Sequence, residues 1–310
     1  MKQNKKMESS DFSLLFTKWC HLIKTAKVII VTDQDRLLLA DKIKTGIKNE
    51  CSIILFDKNH TDFSVIMQLK PCDLVIALFH FDTYVFGGAN RFFSPFSKPD
   101  NMNAKYAFIR LGISEESLLQ GLSTPEDLVY DTIEKFSRYE DKSMLRVTSV
   151  AGTDITIQTS SFTTCSNEIK EDGGMAFLPP SETSSQILGD HANGKIVIDV
   201  TIGQLYHFGK LLGDFGLVPS PVTITVQNGV ITDIYGNMMA EELKSKLFAL
   251  HGECRRLVEF SQGLSDMIPT GIIGVDESMI DTCHFGIGDG ASCGVHLDVV
   301  IKNPQIMIVL

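Results

Sequence analysis

The first part of the chain alternates short apolar runs with segments in which apolar residues recur at helical spacing. Helical spacing covers residues 11–25, 36–50 and 125–141, and the first of these segments begins at an aspartate that can cap a helix. Runs that are apolar throughout and alternate with helices are typical of a parallel sheet covered on both faces. The pattern therefore predicts an α/β domain with a parallel sheet over residues 1–143. Its strands are KVIIVTD (27–33), CSIILFD (51–57), PCDLVIALFHF (71–81) and KYAFIRLG (105–112).

From residue 144 onward the pattern changes to strand-like alternation with turn signals such as Asn-Gly. Helical spacing interrupts it near 204–213 and, with a stronger pattern, at 240–257. We therefore expect an α+β domain over residues 144–310 that is dominated by antiparallel strands and carries the metal site discussed below. The strand-like runs are LRVTSVAGTDITIQTSS, GKIVIDVTIG, PVTITVQNGVITDIYGN and DVVIKNPQIMIVL.

The composition limits which kinds of partner the protein is expected to bind and in which compartment it is expected to lie. The chain has 310 residues, of which 44% are apolar and 21% charged, and this suits a globular protein of two ordinary domains. Its net charge of −10 argues against a general nucleic-acid binder, because phosphate contacts need clustered Lys and Arg. We expect neither a membrane helix, which needs roughly 18 apolar residues, nor a signal peptide, since no apolar core follows the N-terminal lysines. Seven scattered cysteines without CxxC spacing indicate reduced thiols, so a cytoplasmic protein is expected.

The stretch HFGIGDGASCGVHLDVVI, residues 284–301, gathers metal-ligand side chains around glycines. Residues two apart on a strand face the same side, so His296 and Asp298 point together in GVHLDVVI. A neutral imidazole and a carboxylate form a compact pair of ligands for a divalent metal. If the two strand-like parts of the stretch pair, His284 converges on them as a third ligand. The alternative, that these histidines are only hydrogen-bonded residues of the core or sheet edge, stays open.

Two glutamates in apolar surroundings extend this set. Glu182 lies in FLPPSET, where two prolines predict a stiff loop, and Glu259 lies in RLVEFSQGLSD at the end of the helix predicted over 240–257. An unpaired carboxylate is costly in such surroundings, although each glutamate alone also fits a surface residue. Together with the two histidines and Asp298, they give the carboxylate and imidazole composition of a two-metal hydrolytic site.

Two further histidines are weaker candidates. His191, in GDHANG, follows the Glu182 loop closely and is a candidate acid or base, with an exposed turn residue as the alternative. His80 ends a predicted parallel strand, where α/β proteins usually bind ligands, or it simply faces solvent.

Cys283 alternates away from the His284 face and is predicted to lie in the core. The chain has neither GxGxxG after its first strand nor GxSxG, so neither a dinucleotide site nor a serine hydrolase is indicated.

The ordered motifs FLPPSE, VEFSQGLSD, DTCHFGIG and GVHLDVVI resemble those of the M29 aminopeptidases, the leucyl aminopeptidase and aminopeptidase T family. The resemblance covers roughly residues 145–305. It implies a homodimer in which a pair of zinc or cobalt ions activates water to attack the peptide carbonyl beside a free amino terminus, with Glu182 as a candidate general base. The metal ligands that it implies are Glu182, Glu259, His284, His296 and Asp298.

The chain also departs from these peptidases. Seven residues beyond His284, where they carry a tyrosine, it has Ala291, and its loop to His296 is short. It is also similar to a branch of the same fold, the 2,5-dihydroxypyridine 5,6-dioxygenases, which use two His and one Asp to hold one Fe(II) and cleave an aromatic ring. Three hypotheses result: a metallo-aminopeptidase first, an Fe(II) dioxygenase second, and a repurposed member or a non-catalytic, metal-stabilised fold third. We expect a small-molecule or short-peptide substrate, and no nucleic-acid or membrane partner.

Overall fold

A computed structural model of the protein describes residues 11–57, 64–80, 104–164, 169–170 and 173–309. Within these ranges no helix is both long enough and apolar enough to cross a membrane. The α-helices of the described residues are α1 (Phe12–Cys20), α2 (Leu37–Gly46), α3 (Ser64–Met67), α4 (Glu115–Leu122), α5 (Glu126–Ser137), α6 (Met238–Phe248), α7 (Ile273–Asp276) and α8 (Gly290–Cys293).

Strands supply most of the remaining regular structure, together with 3₁₀ turns at Gln34–Arg36 and Gly252–Arg255. They are divided between a parallel sheet and an antiparallel sheet. In chain order the strands are β1 (Val28–Thr32), β2 (Cys51–Leu55), β3 (Leu74–Leu78), β4 (Lys105–Ile109), β5 (Ser143–Thr148), β6 (Asp154–Thr159), β7 (Thr163–Thr164), β8 (Gly174–Leu178), β9 (Glu182–Ile198), β10 (Thr201–His207), β11 (Lys210–Leu217), β12 (Val222–Gln227), β13 (Val230–Tyr235), β14 (Leu257–Gly263), β15 (Thr282–Ile287), β16 (Leu297–Lys302) and β17 (Gln305–Ile308).

Contacts between Cα atoms divide the chain into two compact units. The first contains Met1–Thr124 and Cys165–Pro180, and the second contains Pro125–Thr164 and Ser181–Leu310. Helix α5 therefore belongs to the second unit, while β8 returns to the first. The change of pattern near residue 143 predicts a single boundary between two domains, and that boundary stays a prediction.

The first unit is built around a parallel sheet with the strand order β2-β1-β3-β4-β8. Every residue of β1, β3 and β4 is buried, as in sheets covered on both faces, so the predicted parallel sheet is confirmed. Strand β8 joins this sheet beside β4 although the pattern assigns its sequence to the second domain. His80 lies just beyond β3, where its backbone N–H donates to Asp33 Oδ2 at 2.7 Å.

The second unit is built on an antiparallel sheet whose main path is β11-β10-β16-β15-β14-β9-β6-β5-β17. Strand β9 organises it, because over 17 residues it pairs with β14, β7, β6 and β12. Strands β12 and β13 form a hairpin whose turn residues, Asn228 and Gly229, have φ angles of 50° and 75°. A turn with positive φ at both positions matches the right-handed twist of its strands, so the Asn-Gly turn signal is confirmed.

The segment near 204–213, predicted to be helical, forms the β10–β11 hairpin instead. A register shift between Leu205 and Tyr206 interrupts strict alternation, and the apolar spacing then imitates a helix. The turn residues Phe208 and Gly209 have φ angles of 46° and 77°, which is a mirror-type turn without the usual Asn-Gly signal. The helix prediction was therefore wrong at this place.

The helix predicted over 240–257 is present but shorter. Helix α6 begins after Asn237, whose side chain accepts a hydrogen bond from the Ala240 N–H at 3.1 Å, and it ends at Phe248. The apolar residues that follow belong to a 3₁₀ turn and to β14. Glu259, predicted to lie at the end of this helix, therefore lies on a strand.

Alternation along β14, β15 and β16 separates the two faces of the antiparallel sheet. Phe260, Phe285 and Val299 form one cross-strand row and are completely buried in the hydrophobic core of the second unit. Burial of each such side chain contributes about 1.5–3 kcal/mol, so the core specifies the register strongly. The same register turns the neighbouring residues of each strand to the opposite face, which carries the candidate ligands.

Asp276 anchors α7 to the loop before it and to β10. Its buried carboxylate accepts hydrogen bonds from the N–H groups of Thr270 and Gly271, at 2.7 and 2.8 Å, and from the hydroxyls of Thr270 and Thr201. Asp276→Asn leaves too few acceptors for these donors, so the unfolding free energy should fall by about 2–4 kcal/mol in urea denaturation. Asp281→Asn, at an exposed carboxylate, is the control and should change it by less than about 0.5 kcal/mol. An equally small effect at Asp276 would contradict the anchoring role.

Candidate metal centre

Four of the five candidate ligands lie on neighbouring strands of the second unit, and His296 immediately precedes the last of these strands, β16. The register pairs Glu259 with Gly286 and Gly286 with Asp298, so these three residues form one cross-strand row. His284 lies two positions from Gly286 and therefore on the same face. Glu182, predicted on a stiff loop, is instead the first residue of β9, which pairs with β14 on its other side. Strand pairing thus gathers on one face side chains that the sequence spreads over more than a hundred residues.

Two triplets of ligand-type groups form on this face, and Glu259 belongs to both. Within each triplet the ligand atoms lie within 4.8 Å of one another. His284 Nε2 lies 3.4 Å from Glu182 Oε2. His296 Nε2 lies 3.2 Å from Asp298 Oδ1 and 3.6 Å from Glu259 Oε2. The triplets are Glu182, Glu259 and His284, and Glu259, His296 and Asp298.

A bulge in β14 turns Glu259 away from the core. Leu257 and Phe260, three residues apart, both lie in the core, which regular alternation does not allow. A register shift between Leu257 and Glu259 resolves this conflict and directs Glu259 to the opposite face. There the Ser261 hydroxyl donates to Glu259 Oε1 at 3.1 Å, which leaves Oε2 directed toward His296.

The loop before β16 sets the orientation of His296. Asp289 caps α8 by accepting a hydrogen bond from the Ala291 N–H at 3.0 Å, and Gly294 follows this helix with a φ of 73°. His296 Nδ1 lies 3.3 Å from the Gly288 carbonyl oxygen. A carbonyl oxygen can only accept, so Nδ1 carries a proton, and whenever the ring is neutral the lone pair lies on Nε2, as in metal-ligating histidines.

Negative charge dominates this face of the sheet. Burial raises the pKa of Glu259 against the opposing attraction of His284. Burial lowers the pKa of His284, but the surrounding carboxylates outweigh it, so the net pKa lies above the ordinary histidine value. The hydrogen bond and charge of Asp298 raise the pKa of His296 to about 10. The cluster therefore favours positive charge, either as protons on the histidines or as a bound cation.

Buried polar atoms without a hydrogen-bond partner also make the cluster suitable for a divalent cation. His284 Nδ1 and Glu182 Oε2 are buried without a hydrogen-bond partner among the described residues. An unsatisfied buried polar atom costs about 1–3 kcal/mol, and a cation on the carboxylate offsets part of that cost. Imidazole and carboxylate ligands suit zinc, cobalt and iron(II) alike, so the ligand types do not choose among these metals.

Gly286 provides the space in which the second triplet closes. A Cβ atom at this position would lie 2.8 Å from Glu259 Cβ, 3.2 Å from His296 Cε1 and 3.3 Å from Asp298 Oδ1. The absent side chain lets these three groups approach one another above β15. Sequence reasoning missed Gly286, although its place two residues after His284, on the same face, was an available signal.

Other residues singled out from the sequence lie apart from the triplets. His191 is exposed, nine positions along β9 from Glu182, and neither triplet of the described residues includes it. Its role as an acid or base stays a prediction. Cys283 is buried in the core, as the alternation predicts. Cys293 is also buried, and its thiol lies 3.8 Å from the Val295 carbonyl oxygen.

A cavity of about 680 Å³ opens beside the second triplet. Glu259 and His296 line it, together with polar residues of β9 and of the segment 160–163. Its volume lies within the range of clefts that hold small-molecule ligands, about 300–1,000 Å³. The cavity therefore offers a small molecule access to Glu259 and His296.

Sequence comparison identifies a matching family. The profile of the 2,5-dihydroxypyridine 5,6-dioxygenase family, NicX, matches residues 57–253. This span contains Glu182 and ends before the other four candidate ligands. A comparison with curated protein sequences gives no significant match.

Two solved structures resemble the chain over nearly its whole length. The 2,5-dihydroxypyridine dioxygenase from Pseudomonas putida KT2440 gives a TM-score of 0.62 at 15% identity, covering 97% of this chain and 94% of that chain. Wild-type AmpT from Thermus thermophilus gives a TM-score of 0.53 at 13% identity, with the same two coverages. Such identities establish a shared fold. With the family match they confirm the resemblance to the aminopeptidase T group and its dioxygenase-like branch.

Proposed function

Because the chain belongs to the 2,5-dihydroxypyridine 5,6-dioxygenase family, we propose that it is a metal-dependent, ring-cleaving dioxygenase for a small dihydroxylated aromatic compound. The observation that carries this proposal is that His284, His296 and Asp298 share one face of the sheet at β15 and β16, with His296 and Asp298 in the second triplet and His284 in the first. Two imidazoles and one carboxylate are the ligand set of non-haem Fe(II) oxygenases. Ala291, at the position where the aminopeptidases carry a tyrosine, also favours this reaction over peptide hydrolysis.

Different residues of the site would bind the metal, orient its ligands, exclude water and accept a proton. His284, His296 and Asp298 would hold iron, which supplies the redox chemistry toward dioxygen when bound. The Gly288 carbonyl keeps His296 in the tautomer that offers Nε2 as a ligand. His284 is buried, which excludes water from its side of the site. Glu182 Oε2, 3.4 Å from His284, is the group assigned to accept a proton from a substrate hydroxyl.

A two-metal hydrolase is the second candidate, and the position of Glu259 favours it. Because Glu259 belongs to both triplets, two ions held there would share one carboxylate. Paired zinc or cobalt ions supply hydrolases with an activated water and a polarised carbonyl group. The presence of Glu182 in the first triplet agrees with this candidate, whose substrate would be a peptide or amide with a free amino terminus.

Metal analysis and oxygen uptake separate the two candidates. Protein purified anaerobically without added metal should contain about one iron per chain and consume about one O₂ per 2,5-dihydroxypyridine, because ring-opening dioxygenation places both oxygen atoms in the product. Elemental analysis and an oxygen electrode measure these quantities, and His296→Ala should lose both.

Other results of these measurements would contradict the first candidate. About two zinc or cobalt ions per chain, with cleavage of leucine p-nitroanilide and no oxygen uptake, would establish the hydrolase. Protein without any specifically bound metal would contradict both candidates. In that case a member repurposed for other small-molecule chemistry would be the better explanation.

A further inference from the structure

Four uncommitted polar side chains line the cavity beside the second triplet. They belong to Ser161 and Thr163 and, on the neighbouring strand β9, to Ser184 and Gln186. Among the described residues, none of these four side chains has a hydrogen-bond partner, although the backbone of each is bonded. We call this set the neutral wall. Its hydroxyl and amide groups offer both donors and acceptors to a ligand in the cavity.

Hydrogen bonds hold the backbone segments that carry the neutral wall in fixed positions. The Ser185 hydroxyl donates to the Ser160 carbonyl oxygen at 2.7 Å, and the Gln186 N–H donates to Ser160 Oγ at 3.1 Å. These bonds fasten the segment 160–163 to β9, so the uncommitted side chains are presented from fixed positions. Gln186 lies directly across from Glu259 in the β9–β14 register. The two strands are about 4.8 Å apart, which places the Gln186 amide next to the candidate ligand.

Apart from the candidate ligand His296, the described residues that line the cavity carry no positive charge. Its titratable lining residues are Glu259, Asp289 and His296, and no lysine or arginine lines it in the described part of the chain. A carboxylate or phosphate away from the metal-binding end of a ligand would lose hydration here without gaining a cation, and would face Asp289. Uncharged hydroxyl or amide groups exchange their water contacts for hydrogen bonds to the neutral wall.

From this arrangement, and resting on the proposed function, we infer that the substrate joins a metal-binding diol end to an uncharged extension that carries hydroxyl or amide groups. The extension lies against the neutral wall, and Gln186 is the residue that determines specificity for it. A cavity of about 680 Å³ has room for more than a single ring, because clefts of about 300–1,000 Å³ accommodate drug-sized ligands.

Binding of two matched probes tests this inference. 3,4-Dihydroxybenzamide and 3,4-dihydroxybenzoate share the metal-binding diol and differ in the charge of the extension. Calorimetric titration of the Fe(II)-loaded protein without oxygen should show about tenfold tighter binding of the amide. Gln186→Lys adds a cation to the neutral wall and should reverse this preference. Gln227→Lys, at an exposed strand end outside the cavity, is the matched control and should leave it unchanged.

The outcomes distinguish this inference from the proposed function. Equal affinity of the wild-type protein for both probes would overturn the inference and leave the metal site standing. The same holds if Gln186→Lys keeps the wild-type preference while retaining its iron content and melting temperature. Protein that binds no iron would overturn the proposed function, and titration of zinc-loaded protein then tests the neutral wall by itself. If the zinc-loaded protein prefers the amide, the inference about the neutral wall would hold for a hydrolase.

Discussion

Glu259→Gln should weaken metal binding at both triplets together, because its carboxylate is the one ligand that they share. Removing a partner that only orients a metal ligand costs about 10–100-fold in affinity, which is the loss expected for a single iron held by the two histidines and Asp298, whereas paired zinc ions that share Glu259 should lose more than about 100-fold. Wild-type protein should gain thermal stability when metal is added, and the variant should gain almost none at the same concentration. Titrations with Fe(II) and Zn(II), combined with melting curves, measure both effects.

The same substitution should leave the metal-free protein folded. Burial raises the pKa of Glu259, which means that the folded cluster disfavours its ionised form at neutral pH. A neutral glutamine of the same shape removes that penalty, so the melting temperature in EDTA should stay equal or rise. Glu242→Gln, on an exposed helix glutamate paired with Lys246, is the matched control and should bind metal normally. Undiminished metal binding by Glu259→Gln would exclude Glu259 from the site.

The part of the site that lies within a few neighbouring residues was predictable from the sequence. His296 and Asp298 stand two residues apart, at and just before the start of β16, and this extended spacing favours the approach of His296 Nε2 to 3.2 Å from Asp298 Oδ1. The pairing of β15 with β16, which the short connection between them favours, puts His284 on the same face, where it joins the triplet of Glu182 and Glu259. The parallel sheet was equally predictable, because strands buried on both faces are apolar throughout.

Glu259 and Gly286 show why the remainder was not predictable. The direction of Glu259 depends on a bulge, which arises because Leu257 and Phe260 both pack in the core. A bulge has no reliable signature in a single sequence. Gly286 matters only because two other strands bring Glu259 and Asp298 to either side of it. The bulge and the crowding around Gly286 are set by packing between strands that are distant in the chain, so the sequence shows at most that Gly286 shares the face of His284.

The family match and the candidate site provide different information about function. The matched span, residues 57–253, covers parts of both units and only one candidate ligand, Glu182. The other four lie in the last part of the chain, where the short loop and Ala291 depart from the aminopeptidases. A fold can host several chemistries, so the reaction has to be argued from these side chains and from the metal that they bind.

Gly286→Ala tests the geometry of the cluster without removing any candidate ligand. Its Cβ would lie 2.8 Å from Glu259 Cβ, so either β14 and β15 separate or the Glu259 side chain tilts away. Displacement of this shared ligand should lower metal affinity by more than about tenfold. Overpacking should also lower the unfolding free energy by about 1–3 kcal/mol. Metal titration and urea denaturation in EDTA measure the two effects separately.

Gly274→Ala is the matched control for this substitution, because a Cβ at Gly274 would have no atom within 4 Å. Alanine in helix α7 should raise the unfolding free energy by about 0.5–1 kcal/mol and leave metal affinity unchanged. If Gly286→Ala lost stability yet kept wild-type metal affinity, the close approach of Glu259, His296 and Asp298 would be a packing feature alone. Since every candidate ligand is still present in Gly286→Ala, a selective loss of affinity would show that their spacing, and not only their identity, makes the metal site.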